Sequence, residues 1–336
     1  MAAKRKKTDP SDEEQRLIES DSLPEDERFD RLFRPQTLDD FVGQSRHKEN
    51  LRVYVKAAQQ RGEPLDHILL CGPPGLGKTT LANILANEMG VQLFTTSGPA
   101  VEHKGVLTGL VTRLGRGDVL FIDEIHRMPK AVEEYLYSAM EDWHIDIVLD
   151  QGPAARSVRV SLQRFTLVGA TTREGLLSAP FRARFGVLER LDPYPVQDLL
   201  TIVRRSAGLL GTPIEDSAAT LIASRSRGTP RVANRILRRL RDVAQVKGNG
   251  RIDANIAEQG LRMLGIDGHG LTELDRRILR CLAGSSTPVG LKTVAVAVGE
   301  EEDTIEDTYE PHLIREGLVQ KTPRGRIVTD KGRSVL

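Results

Sequence analysis

The sequence is poor in cysteine, in aromatic residues and in long apolar runs, and each shortage narrows what the chain can be. Two cysteines, Cys71 and Cys281, in 336 residues exclude a disulfide framework and favour a reducing, cytoplasmic setting. Cys71 lies in an apolar run and reads as a buried small hydrophobe. The longest apolar runs, such as Ile68–Cys71 and Val119–Ile122, are far too short to cross a bilayer. The first residues lack the apolar stretch of a secretory signal. Neither sign of charge dominates, since 48 Lys and Arg face 47 Asp and Glu. With 39% hydrophobic and 28% charged residues, the composition is that of a soluble globular chain with room for two or three domains.

The near-neutral total hides an uneven distribution. Residues 1–27 carry five basic and nine acidic side chains and few apolar ones, the composition of a disordered arm. Its Lys4–Lys7 cluster admits a nucleic-acid contact or a targeting patch, although so short a run favours a solvated tail. Residues 195–265 carry twelve basic and six acidic side chains, so the neutral total does not argue against an anionic partner.

From Asp66 to about Leu191, short apolar strands alternate with helices. DHILLC, VQLFTT, GDVLFIDE and FTLVGATT are uninterrupted rather than alternating, as in a parallel sheet buried on both faces. Helical patterns over Lys78–Met89 and Lys130–Met140 lie between them, which predicts an α/β sheet sandwiched by helices. The segment Trp143–Leu162 alternates as IDIVL and SVRVSL around Gly152-Pro153 and predicts a β-hairpin. From Pro195 to about Leu264 no strand pattern appears. There Val232, Ile236, Leu237 and Leu240 form an apolar helical stripe, with Arg231, Arg235, Arg238 and Arg239 largely off it. A loop at Gly265–Gly270 leads to helices near Thr272–Leu282, Leu291–Val298 and Glu302–Glu316. Gly317–Thr329 then alternates around a Pro-Arg-Gly turn, and three helices with a hairpin predict a winged helix-turn-helix.

Gly72-Pro73-Pro74-Gly75-Leu76-Gly77-Lys78-Thr79 matches the phosphate-loop pattern in full, between a strand ending at Cys71 and a helix starting near Gly77. Glycines let the loop curl so that successive N–H groups face phosphate oxygens, and the helix N-terminus adds a dipole favourable to anions. Lys78 is placed to reach the β- and γ-phosphates of ATP, and the Thr79 hydroxyl to ligate Mg²⁺. Val119–Ile122 ends in Asp123 and Glu124, which puts two carboxylates at a strand's C-terminal edge. Asp123 is the candidate Mg²⁺ holder and Glu124 the group that orients and polarises the attacking water, although either carboxylate alone also reads as a helix cap. Thr171, Thr172 and Arg173 end the next strand and place polar groups beside the same edge. Phe181–Gly186 then brings Arg182 and Arg184, which read equally as solvated arginines or as guanidinium groups for phosphate charge.

Together these motifs resemble the AAA+ ATPases, and within them the RuvB family of hexameric motors that drive Holliday-junction branch migration in recombination and repair. The runs LDDFVGQ, GPPGLGKTTLANILANEMG, LFIDEIHR, QGPAARS, GATTR, RGTPRVANR and TPRGR carry the likeness, which spans roughly residues 28–330. The resemblance implies an AAA+ ATPase domain over 28–194, a helical lid over 195–265 and a winged-helix DNA-binding head over 266–336. It implies nucleotide contacts from Phe33, Arg34, Gly75, Gly77, Lys78, Thr79, Thr80 and Tyr194, and from Glu141, Asp142 and Trp143. It further implies that Thr172 is the first sensor, that Arg231 is the second, and that Arg184 is a finger acting on ATP in the adjacent subunit. The hairpin is implied to dock the junction-recognising partner RuvA, with the RuvC resolvase joining the assembled complex. In the wing, Lys321, Arg324 and Arg326 are candidate backbone contacts to double-stranded DNA without sequence readout, and Lys321 stands where the family usually has Arg. A clamp-loader-like switch that remodels a protein partner is the alternative in another class, and a transcriptional regulator would require sequence-specific binding.

Overall fold

The computed structural model describes residues 32–148 and 157–336, so the predicted arm and the Gly152-Pro153 tip of the predicted hairpin lie outside the described residues. The chain divides into two compact units. One comprises Arg34–Gly72 with Gly77–Asp192, and the other comprises Pro193–Leu336 with the short segments 32–33 and Pro73–Leu76. No helix among the described residues is long and apolar enough to cross a membrane.

In the first unit, chain order is α1 (Ser45–Arg61), β1 (Ile68–Cys71), α2 (Lys78–Met89), β2 (Leu93–Ser97), α3 (Lys104–Val111) and β3 (Val119–Asp123). Then come α4 (Lys130–Glu141), β4 (His144–Val148), β5 (Ser157–Ser161), β6 (Thr166–Thr171), α5 (Ala179–Arg182) and β7 (Val187–Arg190). Five strands form one sheet in the order β2-β3-β6-β1-β7, and every pairing is parallel. The strands β1 and β6 are buried at every position, and β3 at all but Asp123, which is why their sequences run apolar without alternation. Each fully buried Leu or Ile there contributes about 1.5–3 kcal/mol by leaving water. β7 differs, because it is an edge strand in which buried Val187 and Glu189 alternate with exposed Leu188 and Arg190. Its charged VLER pattern is not among the predicted strands. Cys71 is buried as expected, and burial reinforced by the Glu174 carboxylate pushes its thiol up to about 12.

The predicted hairpin is β4 paired antiparallel with β5, with Ile145 opposite Val160. Its root is fixed by Trp143, which takes a left-handed backbone at φ 56° and closes on Leu162 through an N–H···O bond of 2.7 Å. The indole stands edge-on to Phe165 at 5.6 Å and tilted on His67 at 5.7 Å. His67 accepts from the Leu167 amide at Nδ1, which leaves Nε2 to donate to Met140 O at 3.3 Å. Burial holds its pKa below the ordinary value.

The second unit begins with four helices, α6 (Val196–Leu209), α7 (Asp216–Ser224), α8 (Pro230–Lys247) and α9 (Ala254–Met263). The stripe Val232, Ile236, Leu237 and Leu240 is buried as its 3.6-residue period requires. Arg235 departs from the expectation that the arginines lie off the stripe, since it is buried with them. A single parallel bridge, Ile214 to Ile252, is the strand-like pairing among the described residues of this segment.

The remaining elements are α10 (Glu273–Ala283), α11 (Leu291–Val298), α12 (Glu302–Thr304), a π turn (Ile305–Tyr309), α13 (Glu310–Arg315), β8 (Val319–Thr322), β9 (Gly325–Val328) and α14 (Asp330–Ser334). Three helical segments and the β8–β9 hairpin make the predicted winged helix. The third segment is not the continuous α-helix expected over Glu302–Glu316. Pro311 has no N–H and its ring crowds the carbonyl four residues back, so the chain opens into a π turn just before it.

His312, in α13, is held neutral. Arg315 Nη2 donates to its Nδ1 at 3.1 Å, so the proton sits on Nε2, which is buried without a partner among the described residues. Burial, with the Arg227 and Arg315 cations, pushes its pKa from 6.5 down to about 2. Below pH 6.5 the unfolded chain therefore binds a proton that the folded chain refuses, and stability falls with pH at up to about 1.4 kcal/mol per unit. His312→Gln, which cannot titrate, should lose up to about 2–3 kcal/mol less than the parent between pH 6.5 and pH 4.5 in denaturant unfolding of the winged-helix segment. Superimposable acid profiles would refute this.

Candidate functional site

The order of the sheet decides where the chemistry lies. β3, β6 and β1 are adjacent, and their C-terminal ends meet at one edge, with Cys71 in register with Thr171. Gly72, which follows β1, donates its N–H to Thr171 O at 3.1 Å. Asp123 ends β3 on the same edge. In open α/β sheets ligands bind at this edge, so the phosphate loop, the acidic pair and the polar strand end converge as the sequence predicts.

Lys78, the first residue of α2, is buried, and its ammonium donates to Gly72 O at 2.7 Å. Gly77 caps this helix with a left-handed backbone at φ 102°, and Thr79 and Thr80 lie half-buried on its first turn. Gly75 and Leu76 belong to the other compact unit. A Cβ on Gly75 would stand 2.7 Å from Thr229 Cγ2 and 3.1 Å from Arg231 Cβ, so no side chain fits there. In the same unit Tyr194 donates its hydroxyl to Leu76 O at 3.1 Å and is buried. Thus Gly75, Tyr194 and Arg231, which were expected to share a ligand, are brought together. Phe33 is also buried, while Arg34 is half-buried.

Asp123 accepts the Glu124 amide at 2.9 Å. Glu124 itself has left-handed backbone angles, φ 47° and ψ 44°, which turn the chain sharply at the strand end. Gly98 makes that turn possible: its N–H donates to Asp123 O at 2.7 Å, and a Cβ would overlap the Glu124 carbonyl oxygen. His126 was missed from the sequence. Its Nδ1 is 2.9 Å from Thr171 Oγ1, and Nε2 is 3.4 Å from Glu124 Oε2. Because Thr171 Oγ1 accepts from Arg173 N at 3.0 Å, its own proton is available for Nδ1, and Nε2–H then faces the Glu124 carboxylate. A chain Thr171–His126–Glu124 thus orients the carboxylate, and the readable signal was a histidine two residues after Asp-Glu. Thr172 presents a different situation. Its hydroxyl is buried and has no partner among the described residues, the state of a group suited to a bound ligand.

Arg184 follows α5, whose N-cap Ser178 accepts from Phe181 N. The guanidinium lies over the Tyr137 ring at 4.2 Å, donates to Pro180 O at 2.7 Å and pairs with Glu141 at 3.0 Å. Glu141 is therefore placed on Arg184, and Asp142 is exposed beside it. The Trp143 ring is engaged by His67 and Phe165.

The wing departs from the expectation of three available cations. Lys321 pairs with Glu306 at 2.8 Å and Glu310 at 3.3 Å. Arg326 is tied to both oxygens of Glu310 and to Glu306, and its side chain is only 11% exposed. These carboxylates hold both cations above their ordinary pKa ranges, Glu306 acting first on Lys321 and Glu310 on Arg326. Arg324 sits exposed on the turn between β8 and β9.

A methyl group at Gly98 tests the turn that carries Glu124. Gly98→Ala should lower the turnover number for ATP by about 10²-fold, because a displacement near 1 Å at a catalytic group costs about that much. Nucleotide affinity, set by the loop, should change little. Unaltered hydrolysis would show that Gly98 does not position Glu124.

Three family models tile the chain. Residues 33–191 match the Holliday junction DNA helicase RuvB P-loop domain, 194–267 the RuvB AAA lid domain and 268–336 the RuvB C-terminal winged helix domain. A Myxococcus xanthus protein described as Holliday junction branch migration complex subunit RuvB is 55% identical over 316 residues, covering 94% of this chain and 92% of that one. A Flavobacterium johnsoniae protein of the same description is 58% identical over 305 residues, 90% of each chain. The solved structure of the Thermotoga maritima RuvB Holliday junction branch migration motor superposes with a TM-score of 0.83 at 48% identity, covering 90% of this chain and 98% of that one. With the phosphate loop, acidic strand end, helical lid and winged helix all in place and matched from residue 33 to the last, the chain belongs to the RuvB family.

Proposed function

We propose that the chain is an ATP-hydrolysing motor that moves the branch point of Holliday junctions, acting as a hexameric ring with RuvA. The observation that carries this reading is the convergence of buried Lys78, Asp123 and Glu124 at adjoining strand ends of a chain that also bears a winged helix.

The residues present fit ATP: a loop with left-handed glycines, a buried lysine at its mouth and a buried Thr172 hydroxyl with no partner among the described residues. They also fit Mg²⁺. No group of three or more His, Cys, Asp or Glu is gathered among the described residues, but this ion needs only one or two carboxylates beside substrate phosphates and water. Thr79 and Asp123 are those donors, and the ion when bound neutralises charge on the β- and γ-phosphates. Lys78 binds the same phosphates. Glu124, steadied by His126, aims at a water whose oxygen attacks the γ-phosphorus as the bond to ADP breaks, and its carboxylate accepts the water proton. Arg184 of a neighbouring subunit stabilises the charge that spreads over the phosphoryl oxygens. In each subunit Tyr137 and Glu141 hold the guanidinium in place. Glu141 thereby reaches nucleotide through Arg184, and Trp143 through the hairpin root rather than by its ring. Arg231 reports the bound nucleotide to the lid.

In the head, Arg324 leads the contact with DNA phosphates, and Lys321 and Arg326 reach them only by exchanging carboxylate partners. Such contacts carry no sequence information, which suits a motor that must pass every base. The β4–β5 hairpin offers its exposed face, including Val158, to RuvA, and RuvC joins the assembled complex. The setting is the cytoplasm.

Branch migration of a synthetic four-way junction by the full chain with RuvA is the direct test, with Lys78→Ala as the control that should abolish it. Absence of migration by the parent protein would remove the reading. Mixing Arg184→Ala with Lys78→Ala chains should restore part of the ATPase, because some interfaces then pair an intact Lys78 with an intact Arg184. No recovery in rings verified as mixed would place Arg184 outside the neighbour's site. Arg324→Ala should weaken duplex binding equally for all sequences and reduce the slope of log K against log salt by about 1.

A further inference from the structure

A buried ion pair in the second compact unit is used by none of the chemistry above. Arg227 lies in the turn between α7 and α8, with left-handed backbone at φ 56°, an uncommon conformation for so large a side chain. Its guanidinium bonds Asp275 through both terminal nitrogens, and the two side chains are 5% and 0% exposed. Nε donates to Gly270 O at 3.1 Å and Nη2 to Thr272 Oγ1 at 3.4 Å, while the Tyr309 ring stands 5.9 Å away. From the other side Arg315 donates to Arg227 O at 2.8 Å. Asp275 does double duty. It closes the capping box of α10, accepting from the Thr272 amide and hydroxyl at 2.7 Å each.

The same turn faces the loop at its other end. Gly228 O accepts from Tyr194 N at 2.8 Å, and Tyr194 holds Leu76 O. Thr229 and Arg231 close over Gly75, so Arg231 is four residues from the buried pair. Stability alone does not explain a buried pair, because an apolar pair of similar volume usually serves as well. A charge-paired fork does something an apolar contact does not: it fixes direction and register between the turn and the helix it grips.

We propose that Arg227 and Asp275 form the coupling strut of the motor, by which displacement of the Thr229–Arg231 turn is delivered to α10 at the base of the winged-helix head. The proposal rests on the motor reading for its function but not for its mechanics, and the two are tested separately. Movement of the turn pulls the guanidinium, the guanidinium pulls the α10 cap, and Arg315 and Tyr309 bring the π turn and α13 along. Arg227 touches neither substrate nor DNA, so it is a positioning residue.

The test uses the full chain with Arg227→Met and Asp275→Asn combined. This removes both charges together and leaves an amide oxygen to accept the Thr272 N–H. Spin labels at Val246 of α8 and Val296 of α11, 83% and 77% exposed, report the lid-to-head distance by double electron–electron resonance with ADP and with a non-hydrolysable ATP analogue. The parent should give one narrow distribution in both nucleotide states, and the double variant a clearly broadened one. ATP hydrolysis without DNA and duplex affinity should stay within about twofold of the parent, while stimulation of hydrolysis by junction DNA falls at least about tenfold. A narrow distribution in the double variant, or stimulation within twofold of the parent, overturns the strut. Should the double variant fail to fold, Arg227→Lys, which keeps the charge but loses the fork, is read by the same distance measurement with the same two outcomes. A parent that is narrow, with a variant that is broad, in a protein that moves no junction would retain the strut and remove the motor reading.

Discussion

Parallel pairing of β3 with β6 and of β6 with β1 is the constraint on which the candidate site depends. It brings three strand ends to one edge, and each end delivers a different polar element: a curled loop, two carboxylates and two threonines. A slip of one residue in β6 would carry Thr171 and Thr172 to opposite faces of the sheet from those they occupy. The hydrogen bond from Gly72 to Thr171 locks that register from the loop side, and Gly98 on Asp123 O locks it from β2. The apolar strands therefore do more than fill a core. Their packing fixes the relative placement of groups that are remote in sequence.

Much of this was legible in the sequence because the buried strands and amphipathic helices announce themselves by composition and period. The helices Lys78–Met89 and Leu291–Val298 fall where the pattern puts them, and so do the four apolar strands, although β2, at the sheet edge, has no buried position and is not covered on both faces as expected. β7 is not marked in the sequence because an edge strand needs no continuous apolar run, and Glu189 and Arg190 interrupt it. The interruption at Ile305–Tyr309 lay in plain view as Pro311, but a proline says that a helix must yield and not how. Arg235 inside the apolar stripe and the pairing of Arg326 with Glu310 share one reason for being missed. Periodicity states which way a side chain points, whereas its partner is chosen by elements elsewhere in the chain. His126 is illegible in the sequence for the same cause, since its meaning comes from Thr171, 45 residues on.

The two compact units carry different kinds of order. In the first, polar groups hang from a stiff sheet, and the catalytic candidates are oriented by short local bonds such as Asp123 on the Glu124 amide. In the second, charged contacts tie separate segments together: the buried pair Arg227 on Asp275, the half-buried pair Arg276 on Asp267, and the exposed Arg315 on the Arg227 carbonyl. Pro73–Leu76 groups with these segments rather than with the sheet.

The wing has a consequence of a different kind. With Lys321 and Arg326 paired to Glu306 and Glu310, the hairpin would offer DNA, on the proposed reading, little more than the single positive charge of Arg324. One such contact is weak and short-lived, so a lone copy would scarcely stay on a duplex at physiological salt. In the proposed ring, several copies around the same duplex would hold it by multivalency, although each contact breaks easily. Processive movement needs that combination: the assembly stays attached while any one subunit lets go and takes a new grip further along.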